Sequence, residues 1–239
     1  MKGKRILVSA AHPDDADYYC GGAVARWAAE GAEITYLICT DGALGADEGG
    51  ITMEELAALR KKEQNAANKA LGVKETIYLD YPDYGLTATP ELRMRIAAEI
   101  RRFKPHILAT FDPWLRYELH PDHTVAGRES MYARIGSKIV LAYPELLEQG
   151  LEPWAVDELY FFKTDQPDTW VETEDYLPAK LKALACHQSQ FAALVPDEEQ
   201  GLPLLRQLSK KHPKTGRIAE GFKRMPLEGI EGLMAYIAL

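Results

Sequence analysis

The chain has 239 residues and a formal net charge of −8; it is long enough for one α/β domain with a substantial core, and its acidic balance without a basic stripe argues against a nucleic-acid surface. Its three cysteines, Cys20, Cys39 and Cys186, lie too far apart for a disulfide framework or a cysteine zinc site. No apolar run approaches the ~20 residues of a membrane span, and the basic N-terminus meets His12 too soon to be a signal peptide, so we expect a cytoplasmic protein.

The first elements predict a parallel strand–helix–strand unit. Arg5 to Ala10 is an apolar strand, Gly21 to Glu30 is a helix of small residues, and Glu33 to Cys39 is a second strand. This spacing indicates a right-handed parallel crossover. The loop that follows runs from Thr40 to Gly45 and on to Gly49-Gly50. Its glycines either let the backbone approach a ligand closely or belong to a plain flexible loop.

The middle of the chain continues the alternation of helices and strands. Thr52 and Glu55 form a capping box that opens a helix, and Gly72 ends that helix. The predicted elements are a helix to Leu71, a strand from Thr76 to Leu79, a helix from Pro90 to Phe103 and a strand from His106 to Thr110. His106 lies at the start of its strand, away from the carboxyl end, and we assign it a structural role.

The last part of the chain is less regular. We predict a helix from Pro121 to Tyr132, strands from Val156 to Phe162 and Thr169 to Thr173, helices from Leu177 to His187 and Glu199 to Lys211, and a short strand or turn from Ala219 to Met225. The fold class is therefore α/β, with a Rossmann-like, mostly parallel sheet flanked by helices. We expect a single domain over residues 1–239, in which the residues after about 145 complete the substrate pocket.

A histidine and two carboxylates follow the first strand directly. His12, Asp14 and Asp15 lie in a tight turn at its carboxyl end, where ligands bind in open α/β sheets. An imidazole and a carboxylate suit a divalent ion such as zinc. Two potential ligands do not make a site, however, and a solvated loop of turn-forming residues explains this stretch equally well.

A second stretch follows the fourth strand. His120 and His123 are three positions apart and share one helical face, and Asp122 between them can fix the tautomer of a histidine. Because strands one and four end at the same edge of the sheet, we expect both stretches and Asp112 to meet there. Three protein ligands with an open position are typical of catalytic zinc. The residues alone thus indicate a metal-dependent hydrolase of an amide or ester.

The two stretches also resemble a known family. The stretch from Ala11 to Asp17 with Gly21-Gly22, together with His120-Pro121-Asp122-His123, is similar to the PIG-L/LmbE-like zinc-dependent de-N-acetylases, which act on N-acetylglucosamine-type sugars. Weaker matches in the same order support the resemblance. They are Thr40-Asp41-Gly42, Arg60 with Glu63, Leu71-Gly72-Val73, Tyr81-Pro82-Asp83, His187 with Ser189-Gln190, and Ala219-Glu220 with Phe222.

The resemblance implies a role for each matching residue. His12, Asp15 and His123 would bind one zinc ion. Asp14 would be the general base on the zinc-bound water, and His120 the general acid and oxyanion stabiliser, oriented by Asp122. Arg60 would contact the sugar; the alternative is that it faces solvent as a partner of Glu63. The resemblance also implies a small N-acetylated amino sugar as substrate and a homo-oligomeric enzyme.

The chain departs from the family pattern at two places. Ala16-Asp17 stands where many members have a glutamate, which leaves the role of Asp17 open. Some relatives carry a tyrosine just before the second stretch, whereas Glu118 lies two positions before His120; we therefore do not transfer the role of that tyrosine. For His187 we expect a packing or supporting role rather than metal ligation.

Three functions compete. The first is removal of an N-acetyl group from free N-acetylglucosamine, its malate or inositol conjugates, or short chitin oligosaccharides. The second is amidase cleavage of a bulkier acyl group from a glucosamine conjugate. The third is a non-catalytic metal-binding or nucleotide-binding module. The first turn lacks a G-x-G-x-x-G pattern, and a passive binder has no need of both Asp14 and His120, so the third is disfavoured.

Overall fold

The computed structural model describes residues 1–46, 50–192 and 198–227. The strands are β1 (Arg5–Ala10), β2 (Glu33–Thr40), β3 (Glu75–Tyr81), β4 (Ile107–Phe111), β5 (Glu158–Phe162), β6 (Thr169–Glu172) and β7 (Ala219–Pro226). The α-helices are α1 (Asp15–Ala29), α2 (Met53–Leu71), α3 (Pro90–Phe103), α4 (Pro121–Lys138), α5 (Pro144–Glu148), α6 (Leu177–Leu184), α7 (Gln188–Phe191) and α8 (Glu198–Leu208). Within these described ranges, no helix has both the length and the apolar character needed to cross a membrane.

The sheet is parallel over five strands and antiparallel at one end. Its order is β3-β2-β1-β4-β5-β7-β6. Neighbours from β3 to β5 run parallel, whereas β7 pairs antiparallel with both β5 and β6. The predicted mostly parallel α/β sheet is confirmed, with β6 at its edge. The strand order changes direction between β1 and β4, and the carboxyl ends at such a switch point form a ligand-binding crevice.

The central strands are buried on both faces. Every residue of β4, and every residue of β1 after Arg5, is buried, because helices cover both sides of a parallel sheet. Trp27 of α1 packs against the rings of Tyr160 and Phe222 at centroid distances of 5.9 and 5.5 Å. This packing fixes α1, and with it the turn before α1, against the sheet.

Helix α1 begins six residues earlier than predicted. We expected it to start at Gly21, but it starts at Asp15 and is interrupted at Cys20, whose φ of −139° is not helical. At the interruption, the backbone N–H groups of Gly22 and Ala23 donate to the carboxylate of Glu220, at 3.1 and 2.7 Å. A partner on β7, distant in sequence, therefore allows the two helical segments to continue as one element.

Other boundaries differ by a few residues. Helix α4 runs on to Lys138 rather than ending at Tyr132, and β4 begins after His106. His106 accepts a hydrogen bond from the Arg5 N–H at 3.0 Å, which agrees with the structural role assigned to it. The helix predicted to reach His187 ends at Leu184. Of the predicted glycine loop, Gly49 lies outside the described residues.

Candidate active site

The two predicted stretches meet at the switch point between β1 and β4. The turn after β1 carries His12, and the start of α4 carries His123, with His120 just before it. The His12 ring centroid lies 4.4 Å from that of His120 and 5.3 Å from that of His123. Residues more than 100 positions apart in sequence thus form one cluster, because β1 and β4 are adjacent and parallel.

Asp15 lies between two imidazoles. Its Oδ2 is 3.3 Å from His12 Nδ1, and its Oδ1 is 3.2 Å from His123 Nε2. The His12 backbone N–H also donates to Asp15 Oδ2 at 2.7 Å. Burial favours the neutral acid, but the two imidazoles outweigh burial and hold the Asp15 pKa well below its usual range. Asp15 is therefore an anion facing one nitrogen of each ring.

Two further carboxylates face the other side of His12. His12 Nε2 lies 3.1 Å from Asp83 Oδ1 and 3.2 Å from Asp122 Oδ2. Burial lowers the His12 pKa, but Asp15, Asp122 and Asp83 raise it by more than burial lowers it. The net effect is to raise the His12 pKa to about 12. Burial raises the Asp83 pKa, but His12 lowers it, to about 2. Three carboxylates around one imidazole make a buried centre that attracts cations.

The donor atoms suit a metal ion. Two overlapping groups have one nitrogen or oxygen per residue within 4.8 Å of one another: His12, His120 and His123, and His12, Asp83, His120 and Asp122. The predicted set of His12, Asp15 and His123 shares two histidines with the first group. In this set, the carboxylate of Asp15 contacts both rings. Nitrogen and carboxylate donors of this kind fit zinc and similar divalent ions.

Asp14 lies beside this cluster in a strained turn. Its φ is 99°, in the left-handed region that is unfavourable for residues with a side chain. Its backbone N–H donates to Gln64 Oε1 at 2.8 Å, and its Oδ2 accepts from Arg60 Nη2 at 3.0 Å. Burial raises the Asp14 pKa, Arg60 lowers it and Asp15 raises it, and the result is about 6. Asp14 is thus a more basic carboxylate than usual.

Arg60 is buried rather than solvent-facing. Its Nη2 also donates to the Pro13 carbonyl at 2.6 Å, and its Nη1 donates to the Gly42 carbonyl at 2.8 Å. Glu63 is buried as well and accepts from the backbone and hydroxyl of Ser189, at 2.8 and 2.6 Å. The alternative of an exposed Arg60–Glu63 pair is therefore wrong, because each side chain has buried partners elsewhere.

A cavity of about 340 Å³ opens onto the cluster. Leu44 and Tyr84 contribute to its lining, and its polar lining consists of His12, Asp14, Arg60, Asp83, His120 and Gln190. Leu44 and Tyr84 are exposed. A larger cavity of about 460 Å³, lined by Tyr18, Tyr19 and Lys163 among others, contains none of the predicted site residues. The smaller cavity is therefore the candidate active site.

His120 and Asp122 differ from expectation in their contacts. Asp122 was expected to orient His120. Its carboxylate instead contacts His12 and accepts from the backbone N–H groups of Tyr84 and Leu86, at 2.7 and 3.2 Å. Among the described residues, His120 Nδ1 has no hydrogen-bond partner. Burial and the neighbouring His12 lower the His120 pKa, which favours the neutral imidazole.

Asp17 and His187, for which the sequence predicted no metal-binding or catalytic role, contact each other in the core. Asp17 accepts hydrogen bonds from Tyr36 and Gln64, at 3.0 and 2.9 Å, and its Oδ2 lies 2.7 Å from His187 Nε2. Both Asp17 and His187 are fully buried. His187 is therefore a supporting residue, as expected. Asp112, which was expected near the site, accepts from the Thr164 hydroxyl at 2.7 Å and is not among the residues that line the candidate cavity.

Sequence reasoning missed three residues around the cluster. Asp83 follows β3 at the same edge of the sheet, a position that could have marked it. Glu118 contacts His123 Nδ1 at 3.3 Å and Lys163 Nζ at 2.8 Å. Burial raises the Glu118 pKa, but Lys163 and the His120 N–H lower it below its usual value. Lys163 follows β5, and no motif in the sequence marks it.

Known proteins are similar to this chain in sequence and fold. The family model described as GlcNAc-PI de-N-acetylase (PIG-L) matches residues 7–133. The diacetylchitobiose deacetylase of Thermococcus kodakarensis is 34% identical over 93% of this chain and 84% of that protein. A probable N-acetyl-alpha-D-glucosaminyl L-malate deacetylase of Bacillus anthracis is 31% identical over 82% of this chain and 86% of that protein. The structure of the N,N'-diacetylchitobiose deacetylase from Pyrococcus horikoshii, with an inhibitor, has a TM-score of 0.87 and 31% identity over 95% of this chain and 86% of that chain.

Proposed function

Because this chain belongs to the PIG-L family of GlcNAc-PI de-N-acetylases, we propose that it is an N-deacetylase that releases acetate from an N-acetylglucosamine unit of a short chitin-type sugar. The observation that carries the proposal is that Asp14, His120 and His12 line one cavity and that Asp15 joins His12 to His123. The similarity to two diacetylchitobiose deacetylases over more than nine-tenths of this chain supports this substrate class. Diacetylchitobiose is therefore the first substrate to test.

The site requires a divalent cation in this proposal. We infer that His12, Asp15 and His123 hold it, with zinc as the ion, because two imidazoles and a carboxylate are a common catalytic zinc set. When bound, the ion polarises a carbonyl oxygen and makes water more acidic. Asp83 and Asp122 contact the outer side of His12 and add negative charge that favours a cation there.

Asp14 is the general base. Its carboxylate lines the cavity, and with a pKa of about 6 it is ionised at neutral pH and still basic enough to take a proton. It removes a proton from the water that attacks the acetamide carbon. Arg60 keeps the carboxylate in place through its contact at 3.0 Å. That Arg60 also contacts the sugar remains a prediction.

His120 is the residue that donates a hydrogen bond and then a proton to the substrate. As a neutral imidazole it carries one N–H, which can stabilise the negative charge that develops on the acetamide oxygen. When the C–N bond breaks, the proton that Asp14 took from water passes to the amine nitrogen through His120, which accepts it on one ring nitrogen and gives up the hydrogen of the other, so the ring is neutral before and after. Acetate and a free amine leave. Asp122 supports this arrangement through His12 and through the backbone of Tyr84 and Leu86.

Acetate release tests the function. Protein loaded with zinc would be incubated with diacetylchitobiose, free N-acetylglucosamine, and its malate and inositol conjugates, each with and without a chelator. We expect chelator-sensitive release that is fastest from diacetylchitobiose. Release only from a conjugate would keep the deacetylase and change the substrate. No release from any sugar, with metal bound, would contradict the proposal, and the bulkier acyl conjugates of the amidase alternative would then be tested.

Three further properties remain predictions. They are a homo-oligomeric state, a cytoplasmic location, and a single deacetylase domain over residues 1–239. Light scattering on the purified chain measures the first, because a monomer of 26.7 kDa is readily distinguished from its multiples. Limited proteolysis tests the third, since one domain is expected to resist cleavage at internal positions.

A further inference from the structure

The carboxylate of Glu118 contacts both histidines of the second stretch. Glu118 belongs to the segment that connects β4 to α4, and its side chain is 6% exposed. Oε1 accepts from the His120 backbone N–H at 3.1 Å and lies 3.3 Å from His123 Nδ1. Lys163 Nζ is 3.0 Å from Oε1 and 2.8 Å from Oε2. One buried anion therefore joins the start of α4 to the segment after β5.

His123 Nδ1 has two possible partners of opposite kind. Glu118 Oε1 and Lys163 Nζ each lie 3.3 Å from it. A carboxylate only accepts, and an ammonium only donates. If Nδ1 donates to Glu118, the lone pair of the neutral ring is on Nε2. If Nδ1 accepts from Lys163, the hydrogen is on Nε2 and blocks that nitrogen as a ligand. The choice of partner therefore sets the tautomer of His123.

We propose that Glu118 is a positioning residue that keeps the hydrogen of His123 on Nδ1 and so leaves Nε2 available to bind the cation. Nε2 is the nitrogen that faces Asp15 Oδ1 at 3.2 Å, on the side of the cluster. Metal-binding histidines commonly donate their second N–H to a carboxylate, which also orients the ring. The inference rests on the metal site of the proposed function.

Lys163 directs its charge to Glu118 in this arrangement. Its ammonium contacts both carboxylate oxygens and lies 4.9 Å from the centroid of the Tyr19 ring, so Glu118 and Tyr19 compete with His123 Nδ1 for its three N–H donors. The backbone is strained at Lys163 and at the residue before Glu118. Lys163 has a φ of 51°, and Tyr117 has a φ of 64°. Such conformations persist where the surroundings enforce them, often at functional sites.

Metal affinity of a Glu118→Gln variant tests the inference. The amide keeps the shape but loses the charge, and its NH₂ group can face Nδ1. We expect the dissociation constant for zinc, measured by competition with a chelator, to rise about 10–100-fold. Glu158→Gln is the matched control, because Glu158 also pairs with a basic side chain, Arg224, near the other end of β5. Its zinc affinity is expected to equal that of the unchanged protein.

The imidazole nitrogen chemical shifts of the unchanged protein give a second readout that does not depend on a variant folding. In the zinc-loaded protein we expect the His123 hydrogen on Nδ1. A hydrogen on Nε2, or equal zinc affinity in Glu118→Gln and Glu158→Gln, would overturn the inference while leaving the metal site in place. If the unchanged protein binds no divalent ion, the metal site itself fails, and the inference fails with it.

Discussion

Arg60 Nη2 lies 3.0 Å from Asp14 Oδ2, and the same guanidinium bonds the carbonyl oxygens of Pro13 and Gly42. One buried side chain of α2 thus joins the loops that follow β1 and β2. A planar fork that reaches three acceptors is a property of arginine and not of lysine. The proposed base therefore depends on a residue of another element for both its position and its charge.

Arg60→Lys is expected to lower both stability and turnover. The lysine keeps the charge but cannot reach all three acceptors, so we expect a loss of about 2 kcal/mol in the free energy of unfolding and at least a tenfold fall in kcat. Urea unfolding and acetate release measure these. Arg206→Lys is the control, because Arg206 pairs with Glu174 at the surface and such pairs contribute under ~1 kcal/mol. Equal effects of the two substitutions would contradict the prediction.

Asp14→Asn is expected to abolish turnover without loss of metal. The amide cannot accept a proton, so kcat should fall by about 10²–10⁴, while the zinc content, measured by elemental analysis, stays at that of the unchanged protein. Asp15→Asn should lose the metal as well as activity. Asp175→Asn, on an exposed pair with Arg217, is the control. Loss of zinc in Asp14→Asn would contradict the assignment of Asp14 as the base.

Removal of the cation is expected to destabilise the protein. Without it, Asp15, Asp83 and Asp122 face one another across His12 alone. Zinc at 100 times its dissociation constant should raise the free energy of unfolding by about 2.7 kcal/mol, seen as a higher Tm than in excess chelator. The same comparison on His12→Gln should show little difference. A Tm that does not respond to zinc in the unchanged protein would be evidence against the site.

The pair of His187 and Asp17 is expected to be structural. His187→Leu leaves a buried carboxylate without its imidazole partner, which costs about 3–5 kcal/mol. When Asp17→Asn is already present, His187→Leu should lower the free energy of unfolding by less, because the buried carboxylate charge has been removed. Urea unfolding of the four proteins gives the coupling energy. Purely additive effects would show that the contact at 2.7 Å does not couple the two residues.

Much of the fold was predictable because its signals are local. The capping box of Thr52 and Glu55 and the left-handed Gly72 set the ends of α2 as expected, and the buried strands were recognised from short apolar runs. The early start of α1 was not predictable. The helix continues past its interruption at Cys20, where the N–H groups of Gly22 and Ala23 donate to Glu220, nearly 200 positions away in sequence.

The sequence by itself determined which donors the chain carries and at which edge of the sheet they gather, because strand direction, caps and motif order are short-range properties. Only the tertiary structure decided which carboxylate faces which imidazole. Asp122 contacts His12 rather than His120, and Asp83 and Glu118 complete the cluster. These pairings arise where loops from β1, β3, β4 and β5 meet, and electrostatic interactions at 3 Å depend on side-chain placement that no local pattern encodes.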